Sequence, residues 1–349
     1  MENSFDVIII GGGQSGLAVG YYLRRTNLSF IILDNAAQPG GAWQHYWKSL
    51  RLFSPAQWSS LPGVIMSGGG NYYPTREETI LYLSEYEKKY QLPVERPVKV
   101  KSVIKAEEGF QLHTSTGLYE AKVVVSATGS FDNPFIPHVK GVETFQGKVL
   151  HSSQYLSPDE FAGKRVAIIG EGNSGAQILA EVAKVAETIW VTQKEPRFLA
   201  DHIDGRYLFD AASQMYEAKK RGKAYQTPSL GDIVMVPPVK EARERGVLKN
   251  SLRPFSSFTR DGLKWEDGHS EKVDVVIFCT GFRSSLDHLS GLNVITKEGR
   301  VDTEEARAKT IPGLWFVGYG NWTGFASATL IGVGRSAKQT VEEIKAFIG

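Results

Sequence analysis

Short apolar runs alternate with helical periodicity along most of the chain. Val7–Ile10 and Phe30–Leu33 are continuous apolar runs with the length of strands buried on both faces, and the pattern of Leu17–Arg25 between them predicts a helix. The same succession of strand, helix and strand returns later, at Arg165–Ile169, Ala176–Ala186 and Thr188–Thr192. Strands that alternate with helices predict an α/β fold built on parallel sheets.

In both units the first strand runs directly into a glycine-rich turn that opens the helix. Residues 11–16 read Gly-Gly-Gly-Gln-Ser-Gly and residues 170–175 read Gly-Glu-Gly-Asn-Ser-Gly, so both match G-x-G-x-x-G. In this setting the first glycine makes the tight turn, the second lets backbone approach a pyrophosphate, and the third allows the helix to pack closely on the strand. Asp34, after the second strand, lies where a carboxylate accepts a ribose hydroxyl.

The two units also share their later elements. Hairpin strands are predicted at 98–103, 110–114 and 119–125, and the last runs into Ser126-Ala127-Thr128-Gly129. In the second unit, Val273–Phe278 runs into Cys279-Thr280-Gly281. The whole order therefore occurs twice, with an offset of roughly 155 residues, which predicts two dinucleotide-binding sites in one chain.

The repeat divides the chain into two predicted domains, the first of them discontinuous. Residues 1–155 plus 280–349 would form the first, because a strand at Gly313–Gly318 and a mostly helical segment at Phe325–Phe347 come after the second unit. Residues 156–279 would form the second domain.

The second domain contains an insertion at 197–260. A helix is predicted near Tyr207–Arg221 and another at Val239–Arg245, after a break at Pro237-Pro238. A lid over the second nucleotide and a dimer surface are both open roles for this insertion.

Aromatic residues are concentrated in the loop after Asp34, which contains Trp43, Trp47, Phe53 and Trp58. Such a loop can contribute ordinary core or line a planar ligand, and the sequence favours neither. The next helix is predicted to begin with a capping box, because Glu78 stands three residues after Thr75.

Composition narrows the function classes. The 349 residues suffice for about two domains, and a formal net charge of +2 gives no case for nucleic-acid binding. No 18-residue apolar run is present, and a first strand that begins at residue 5 leaves no room for a signal peptide, so we expect a cytoplasmic protein without membrane contact. Cys279 is the single cysteine, which excludes disulfide-reductase chemistry, and the histidines show no metal-ligand spacing.

Residues 145–155 read Phe-Gln-Gly-Lys-Val-Leu-His-Ser-Ser-Gln-Tyr and fit F-x-G-x-x-x-H-x-x-x-Y, the fingerprint of class B flavin-dependent monooxygenases. The chain resembles a small bacterial member of this group over essentially its whole length, including Gly40-Gly41-x-Trp43 and Tyr73-Pro74-x-Arg76. The resemblance implies a glutathione-reductase-like flavoprotein with two dinucleotide-binding, Rossmann-like domains. Tyrosine at the end of the fingerprint resembles the branch that oxygenates nitrogen and sulfur.

The resemblance also implies FAD in the first unit and NADPH or NADH in the second. FAD would be bound by Gly11, Gly13, Gln14, Ser15, Gly16, Asp34, Gly41, Trp43, Gly318 and Asn321. The nicotinamide nucleotide would be bound by Gly170, Gly172, Asn173, Ser174, Gly175, Gln193 and Lys194. Val100, Gly129 and Gly281 complete the candidate cofactor contacts, and His151, Phe53 and Tyr155 are the catalytic candidates, in positioning roles.

The activity that the resemblance implies is the transfer of one oxygen atom from a C4a-(hydro)peroxyflavin to a soft nucleophile such as a sulfide or an amine. We expect O2 and a small apolar substrate with a heteroatom as partners, and a homodimer as the assembly. Gly320-Asn321 stands where relatives commonly place an aspartate, and Leu52-Phe53-Ser54 stands where they often place an asparagine near the flavin. Release of hydrogen peroxide by an NAD(P)H oxidase or reductase, weak Baeyer–Villiger activity on ketones, and a non-enzymatic redox role therefore stay open.

The residues after Thr192 predict how the two nicotinamide nucleotides are distinguished. NADPH-selective relatives usually have arginine here, whose fork binds the 2′-phosphate at two points. This chain has Gln193, Lys194 and Glu195, that is, a neutral amide, a point charge and a repelling carboxylate. The sequence therefore predicts that NADH and NADPH are both used, with weak discrimination.

Overall fold

The computed structural model describes residues 3–201, 203, 207, 210–211, 214–215, 217–218, 221–222, 232–324 and 326–349. Its helices include α1 (Gln14–Leu23), α2 (Arg76–Lys89), α3 (Asn173–Val182), α4 (Pro237–Glu244) and α5 (Leu330–Ile348). Much of the helix predicted near Tyr207–Arg221 lies outside the described residues, and so does Phe325. No helix within the described part of the chain has both the length and the apolarity to cross a membrane.

The larger sheet has nine strands among the described residues. They are β1 (Ser4–Ile10), β2 (Phe30–Leu33), β3 (Val94–Glu95), β4 (Val100–Lys105), β5 (Phe110–Thr114), β6 (Leu118–Ser126), β14 (Thr303–Glu304), β15 (Arg307–Ala308) and β16 (Leu314–Phe316). The order is β14-β15-β16-β6-β1-β2-β3, with the hairpin of β4 and β5 joined to β6. β1 lies at the centre and pairs in parallel with both β2 and β6.

A smaller parallel sheet has the order β7-β13-β8-β9 among the described residues, with β7 (Lys148–His151), β8 (Arg165–Ile169), β9 (Glu187–Val191) and β13 (Val275–Phe278). β10 (Ser257–Thr259), β11 (Gly262–Lys264) and β12 (Ser270–Lys272) form a separate antiparallel sheet. β7 therefore joins the second parallel sheet, although it lies within the segment 1–155 assigned to the first domain. The bounds of the two domains stay a prediction.

The central strand is buried on both faces, as its continuous apolar run predicts. Val7 and Ile9 pack into the cluster that contains residues of α1 and α5, whereas Ile8 and Ile10 face the cluster formed with β4 to β6. Because successive side chains of a strand point to opposite faces, an unbroken apolar run fits only a strand covered on both sides. This burial fixes the carboxyl end of β1, where the first glycine loop begins.

Three helix starts differ from the sequence prediction for local physical reasons. α1 and α3 begin at Gln14 and Asn173, inside the glycine motifs, because the third glycine of each motif already lies in the first helical turn. Pro237-Pro238 forms the first turn of α4 instead of a break before it. Proline suits this position since its missing N–H would have no helical partner there.

Candidate active site

One cavity of about 1550 Å³ joins the two glycine loops. Its walls include Gly11–Ser15 from the first loop and Asn173 and Ser174 from the second. The predicted site residues that line it are Gly11, Gly13, Gln14, Ser15, Asp34, Gly41, Trp43, Phe53, Gly129, Asn173, Ser174 and Gly318. The fold thus brings two loops, which are far apart along the chain, to a single cavity.

The other candidate residues are not among the described residues that line the cavity. Val100, the first residue of β4, is buried in the core of the larger sheet and does not line the cavity, and its role as a cofactor contact stays a prediction. Gln193 and Lys194 are exposed at the end of β9. The side chain of Asn321 lies outside the part of the chain that the structure describes. Gly16, Gly170, Gly172 and Gly175 belong to the loops but are not among the lining residues, and the same holds for Gly281, His151 and Tyr155 outside the loops.

The two loops have the same close backbone contacts. A Cβ at Gly11 would lie 2.6 Å from the carbonyl oxygen of Ala127 at the end of β6, and one at Gly170 would overlap that of Cys279 at the end of β13. A Cβ at Gly16 would overlap the Gly11 carbonyl, and one at Gly175 would overlap the Gly170 carbonyl. Glycine is required at these positions because the contacts are with backbone, which no rotamer change can relieve.

Both helices that extend from the loops begin without a side-chain cap. The N-cap residues are Gly13 for α1 and Gly172 for α3, and the first turn of each helix contains no acidic residue. The first N–H groups of a helix have no intrahelical acceptor and carry partial positive charge, so each loop is suited to an anionic pyrophosphate. A Cβ at Gly172 would meet only open space.

Asp34 is a buried carboxylate at the edge of the first loop. Arg96 Nε donates to Asp34 Oδ2 over 3.1 Å, and the terminal nitrogens of Arg96 donate to Glu87 over 2.7 and 3.0 Å. Arg96 therefore fixes the Asp34 carboxylate in place, and Glu87 in turn holds the guanidinium through its two terminal nitrogens. Local sequence pattern contains no signal for this arginine, since the aromatic loop and α2 separate it from Asp34 along the chain.

Trp43 is held over the first loop by two polar side chains. Its indole N–H donates to Gln14 Oε1 over 3.2 Å, and Gln14 Nε2 donates to the carbonyl of Ala328, just before α5, over 2.7 Å. Arg76, at the start of α2, donates to the Trp43 carbonyl over 2.9 Å. Gln14 thus connects the glycine loop, the aromatic loop and the last helix, a role that its place in the motif does not reveal.

Comparisons with known proteins agree with this geometry. Residues 8–221 match the model of the family described as pyridine nucleotide-disulphide oxidoreductase. The chain belongs to this family. An uncharacterized CzcO-like oxidoreductase of Geobacillus kaustophilus is 33% identical over 99% of this chain and 99% of its own length.

Solved structures give the subgroup and the fold. The flavin-containing monooxygenase from Stenotrophomonas maltophilia is 49% identical, with a TM-score of 0.91 over 99% of this chain and 100% of that one. The bacillithiol disulfide reductase from Bacillus cereus shares the fold, with 21% identity and a TM-score of 0.75 over 98% of this chain and 99% of that one. The predicted family and the glutathione-reductase-like fold are thereby confirmed. The chain is a flavin-dependent oxidoreductase of the monooxygenase type, a class that uses FAD and NAD(P)H.

The disulphide chemistry in the family's name needs a pair of cysteines, and this member has one. Cys279 is buried at the end of β13, where burial raises the pKa of its thiol. A neutral, enclosed thiol is a poor nucleophile. This member of the oxidoreductase family therefore has no thiol suited to disulfide exchange.

His151, the histidine of the fingerprint, uses both ring nitrogens within the protein. The Ser153 N–H donates to Nδ1 over 3.1 Å, so the proton lies on Nε2, which donates to the carbonyl of Gly281 over 3.0 Å. Burial lowers the pKa of the imidazole, an effect that the Gly281 hydrogen bond opposes. His151 is thus a neutral link between the ends of β7 and β13.

Tyr155, which closes the fingerprint, is fully buried in the core of the second sheet. Its hydroxyl donates to Glu181 on α3 over 2.8 Å, and Ser49 from the aromatic loop donates to the other oxygen of the same carboxylate. Trp47 of that loop also packs against the Tyr155 ring. Tyr155 therefore positions α3 relative to the aromatic loop and lies away from the cavity.

The two crossings between the sheets pair with each other, a feature that sequence reasoning missed. Residues 129–135 and 281–285 exchange backbone hydrogen bonds, among them Phe135 N–H to the Gly281 carbonyl over 3.0 Å. Phe282 stacks on Phe131, which lines the cavity, and also contacts the edge of His151. The fingerprint histidine thereby reaches the cavity wall through two phenylalanines.

The aromatic loop forms part of the cavity wall, whereas its composition alone did not distinguish between a core segment and a ligand-lining segment. Trp47, Phe53 and Trp58 line the cavity together with Trp43, and Trp47 also packs into the core of the second sheet. Between them, Leu52 and Ser54 also face the cavity, and the Ser54 hydroxyl is bonded to that of Ser59 over 2.8 Å.

Asn173 of the second loop holds the insertion. Its Oδ1 accepts from the Val234 N–H over 2.8 Å, and its Nδ2 donates to the Asp232 carbonyl over 3.4 Å. Val234 and Met215, both from the insertion, line the cavity. The insertion thus contributes to the cavity wall next to the second loop, and a role in a dimer surface stays a prediction.

Proposed function

We propose that this oxidoreductase consumes NAD(P)H and O2 and transfers one oxygen atom to a soft nucleophile such as a sulfide or an amine. The observation that carries the proposal is the single cavity lined by both glycine loops. Two pyrophosphate-binding loops that open on one space allow two dinucleotides to meet there. A cytoplasmic location and a homodimer remain expectations from the sequence.

The first loop fits FAD. Gly11, Gly13, Ser15 and the start of α1 would hold the pyrophosphate, and the Asp34 carboxylate, oriented by Arg96, would accept the ribose hydroxyls. Gly41 approaches so closely that a Cβ there would lie 2.8 Å from the Cα of Gly13, so the aromatic loop packs directly against the first glycine loop. Bound FAD supplies hydride acceptance and oxygen activation.

The chain's own residues orient the reactants and exclude water. Trp43, Phe53 and Trp58 give the cavity an apolar, aromatic wall, which favours a small apolar substrate and makes hydration of a reactive centre costly. His151 and Tyr155 act at a distance, since they fix the crossing segment and α3 without facing the cavity. The second loop, with Ser174 and the start of α3, would hold the nicotinamide nucleotide.

Hydrogen peroxide release is the second candidate function, and it rests on residues 52–54. A hydrogen-bond donor near the reactive edge of the flavin would protect activated oxygen. Leu52 and Phe53 provide none from their side chains, and the Ser54 hydroxyl is already bonded to Ser59. Under this alternative the enzyme reduces O2 with NAD(P)H and leaves the substrate unchanged.

A turnover experiment separates the candidates. The purified yellow protein is mixed with NADH or NADPH and a methyl aryl sulfide in air, and sulfoxide, peroxide and nucleotide consumption are measured together. We expect nearly one sulfoxide per nucleotide consumed and a kcat/KM ratio between the two nucleotides below about a hundredfold, since one charge-assisted contact contributes about 1.5–3 kcal/mol. Peroxide without sulfoxide would favour the oxidase, and failure to take up FAD would contradict both.

A further inference from the structure

The two units of the repeat can be aligned residue by residue through their backbone hydrogen bonds. The Gly11 N–H donates to the Leu33 carbonyl over 2.8 Å, and the Gly170 N–H donates to the Val191 carbonyl over 2.8 Å. The residue after Leu33 is Asp34 and the residue after Val191 is Thr192. Thr192 is therefore the counterpart of Asp34.

The same alignment extends to the next strand. The Asp34 N–H donates to the Glu95 carbonyl over 3.0 Å, and the Thr192 N–H donates to the Leu252 carbonyl over 2.9 Å. The residues directly after these acceptors are Arg96 and Arg253. The second unit thus keeps the arginine of the first unit but has a threonine where the first unit has its carboxylate.

Thr192 does not replace the carboxylate. Its hydroxyl donates to Ser251 Oγ over 2.8 Å, and the side chain is buried. In the first unit a side chain at residue 12 is excluded, because a Cβ there would lie 2.6 Å from Asp34 Oδ2. The second unit lacks this obstacle, and the counterpart of Gly12 is Glu171.

Glu171 brings a carboxylate to the end of β9 from the glycine loop. Its Oε2 accepts from the Gln193 N–H over 3.2 Å, and Arg253 donates to the Gln193 carbonyl over 3.2 Å. A carboxylate and a guanidinium thus contact the backbone of one residue at the strand end. In this fold that position faces the adenosine ribose, where an acid binds the 2′-hydroxyl and an arginine binds a 2′-phosphate.

We propose that Glu171 and Arg253 determine nucleotide preference in this enzyme by acting in opposite directions. Glu171 accepts the 2′-hydroxyl of NADH and repels the 2′-phosphate of NADPH, whereas Arg253 attracts that phosphate. The inference rests on the proposed function, in which the second unit binds the nicotinamide nucleotide, and it explains why discrimination would be weak. Gln193 supplies the backbone that both charged groups contact.

Adenosine fragments test the proposal without any turnover. The FAD-loaded protein is titrated by calorimetry with 5′-AMP and with 2′,5′-ADP, which differ by the 2′-phosphate. Glu171→Gln should raise the affinity of 2′,5′-ADP relative to 5′-AMP about tenfold, and Arg253→Gln should lower it about tenfold, the lower end of the effect of one charge-assisted hydrogen bond. The double variant should return close to the starting ratio, since the two effects oppose each other.

Two control variants change charge at the far ends of the same strands. Glu187→Gln on β9 and Lys164→Gln just before β8 should leave the affinity ratio unchanged, and the 450 nm flavin absorbance reports that each variant is folded. The kcat/KM ratio for NADPH over NADH should follow the fragment ratio in every variant.

Equal loss of affinity for both fragments in Glu171→Gln and Arg253→Gln would assign these residues only to support of the turn and would overturn the proposal. Binding of both fragments with a ratio that neither substitution changes would overturn it as well, while the proposed function would stand. Failure of the unchanged FAD-loaded protein to bind either fragment would instead overturn the proposed function, and this inference with it.

Discussion

At the scale of single residues, the clearest requirement is for the third glycine of each loop. Gly16 and Gly175 pack against carbonyls of their own loops, so a methyl group at either position overlaps backbone. Relieving such an overlap means moving the helix away from the strand, and over-packing of this kind costs about 1–3 kcal/mol. Since each helix start is also the anion-binding end, the same shift would damage ligand binding.

The repeat allows the two loops to be tested separately. Gly16→Ala should yield protein that loses FAD, seen as a fall in the ratio of absorbance at 450 nm to that at 280 nm. Gly175→Ala should stay yellow but show flavin reduction by NADH or NADPH slowed at least tenfold in anaerobic stopped-flow, because its first loop is intact. Gly291→Ala is the matched control, since its Cβ would lie at an ordinary 3.5 Å from the Val103 carbonyl. Loss of FAD from both loop variants would contradict the assignment of separate loops.

At the scale of elements, the first turn of α3 is joined to the insertion. The Asn173 side chain accepts a hydrogen bond from the Val234 N–H and donates one to the Asp232 carbonyl, so it connects the second loop to the cavity wall. Its counterpart in the first unit, Gln14, is bonded instead to Trp43 and Ala328. At this motif position both units therefore hold the loop to a later segment of the chain.

Substitution of Asn173 should destabilise the cavity wall at residues 232–236 and leave FAD binding by the first unit unchanged. In Asn173→Ala, the Val234 N–H loses its acceptor, so we expect hydrogen exchange across residues 232–236 to accelerate about tenfold. The KM for the nicotinamide nucleotide should rise with FAD content unchanged. Asn173→Gln, which keeps the amide on a longer side chain, should recover part of the protection. Unchanged exchange together with a raised KM would mean that Asn173 contacts only the nucleotide.

At the scale of the whole molecule, a buried network of hydrogen-bonded polar side chains connects segments that are distant along the sequence. His288 Nε2 lies 3.1 Å from Ser126 Oγ at the end of β6, and Ser126 contacts the hydroxyl of Tyr319, just after β16. Tyr319 continues to Thr128, whose hydroxyl donates to the carbonyl of Ser285 in the crossing segment. The network therefore links the end of the larger sheet to the crossing segment at residues 281–285.

The buried His288 of this network predicts that the free energy of unfolding depends on pH. Burial lowers the pKa of His288 from 6.5 to about 4. Between these two pH values the imidazole is protonated in the unfolded chain but neutral in the folded chain. The free energy of unfolding should therefore decrease as the pH falls from about 6.5 to about 4, by about 3 kcal/mol from this one group. Above pH 6.5, His288 should contribute no slope.

Urea unfolding of the holoenzyme between pH 4.5 and 7.5 checks this expectation. His288→Gln should be less stable at neutral pH but should show a shallower loss of stability on acidification than the unchanged protein. His138→Gln, which removes an exposed histidine, should keep the original slope. Equal slopes for all three proteins would show that His288 titrates alike in the folded and unfolded chains.

Features that depend on local pattern could be predicted from the order of the amino acids alone. Buried strands such as Val7–Ile10, the two glycine loops and the capping box at Thr75 and Glu78 arise from the burial and hydrogen bonding of neighbouring residues, and the structure has all of them. Because the same order of elements occurs twice, the fold class could be predicted as well. The fingerprint at residues 145–155 indicated the family but not which groups its histidine and tyrosine contact.

Contacts between distant residues, in contrast, depend on how the whole chain folds. Arg96 contacts Asp34, Glu171 contacts the end of β9, and Asn173 contacts the insertion. These contacts exist because the sheets bring distant segments together, and no local sequence pattern indicates them. Val100 is buried in the core of the larger sheet, a placement that the sequence pattern alone did not indicate, and its assignment to a cofactor contact stays a prediction. Chemistry at this site therefore depends on contacts that sequence periodicity cannot encode.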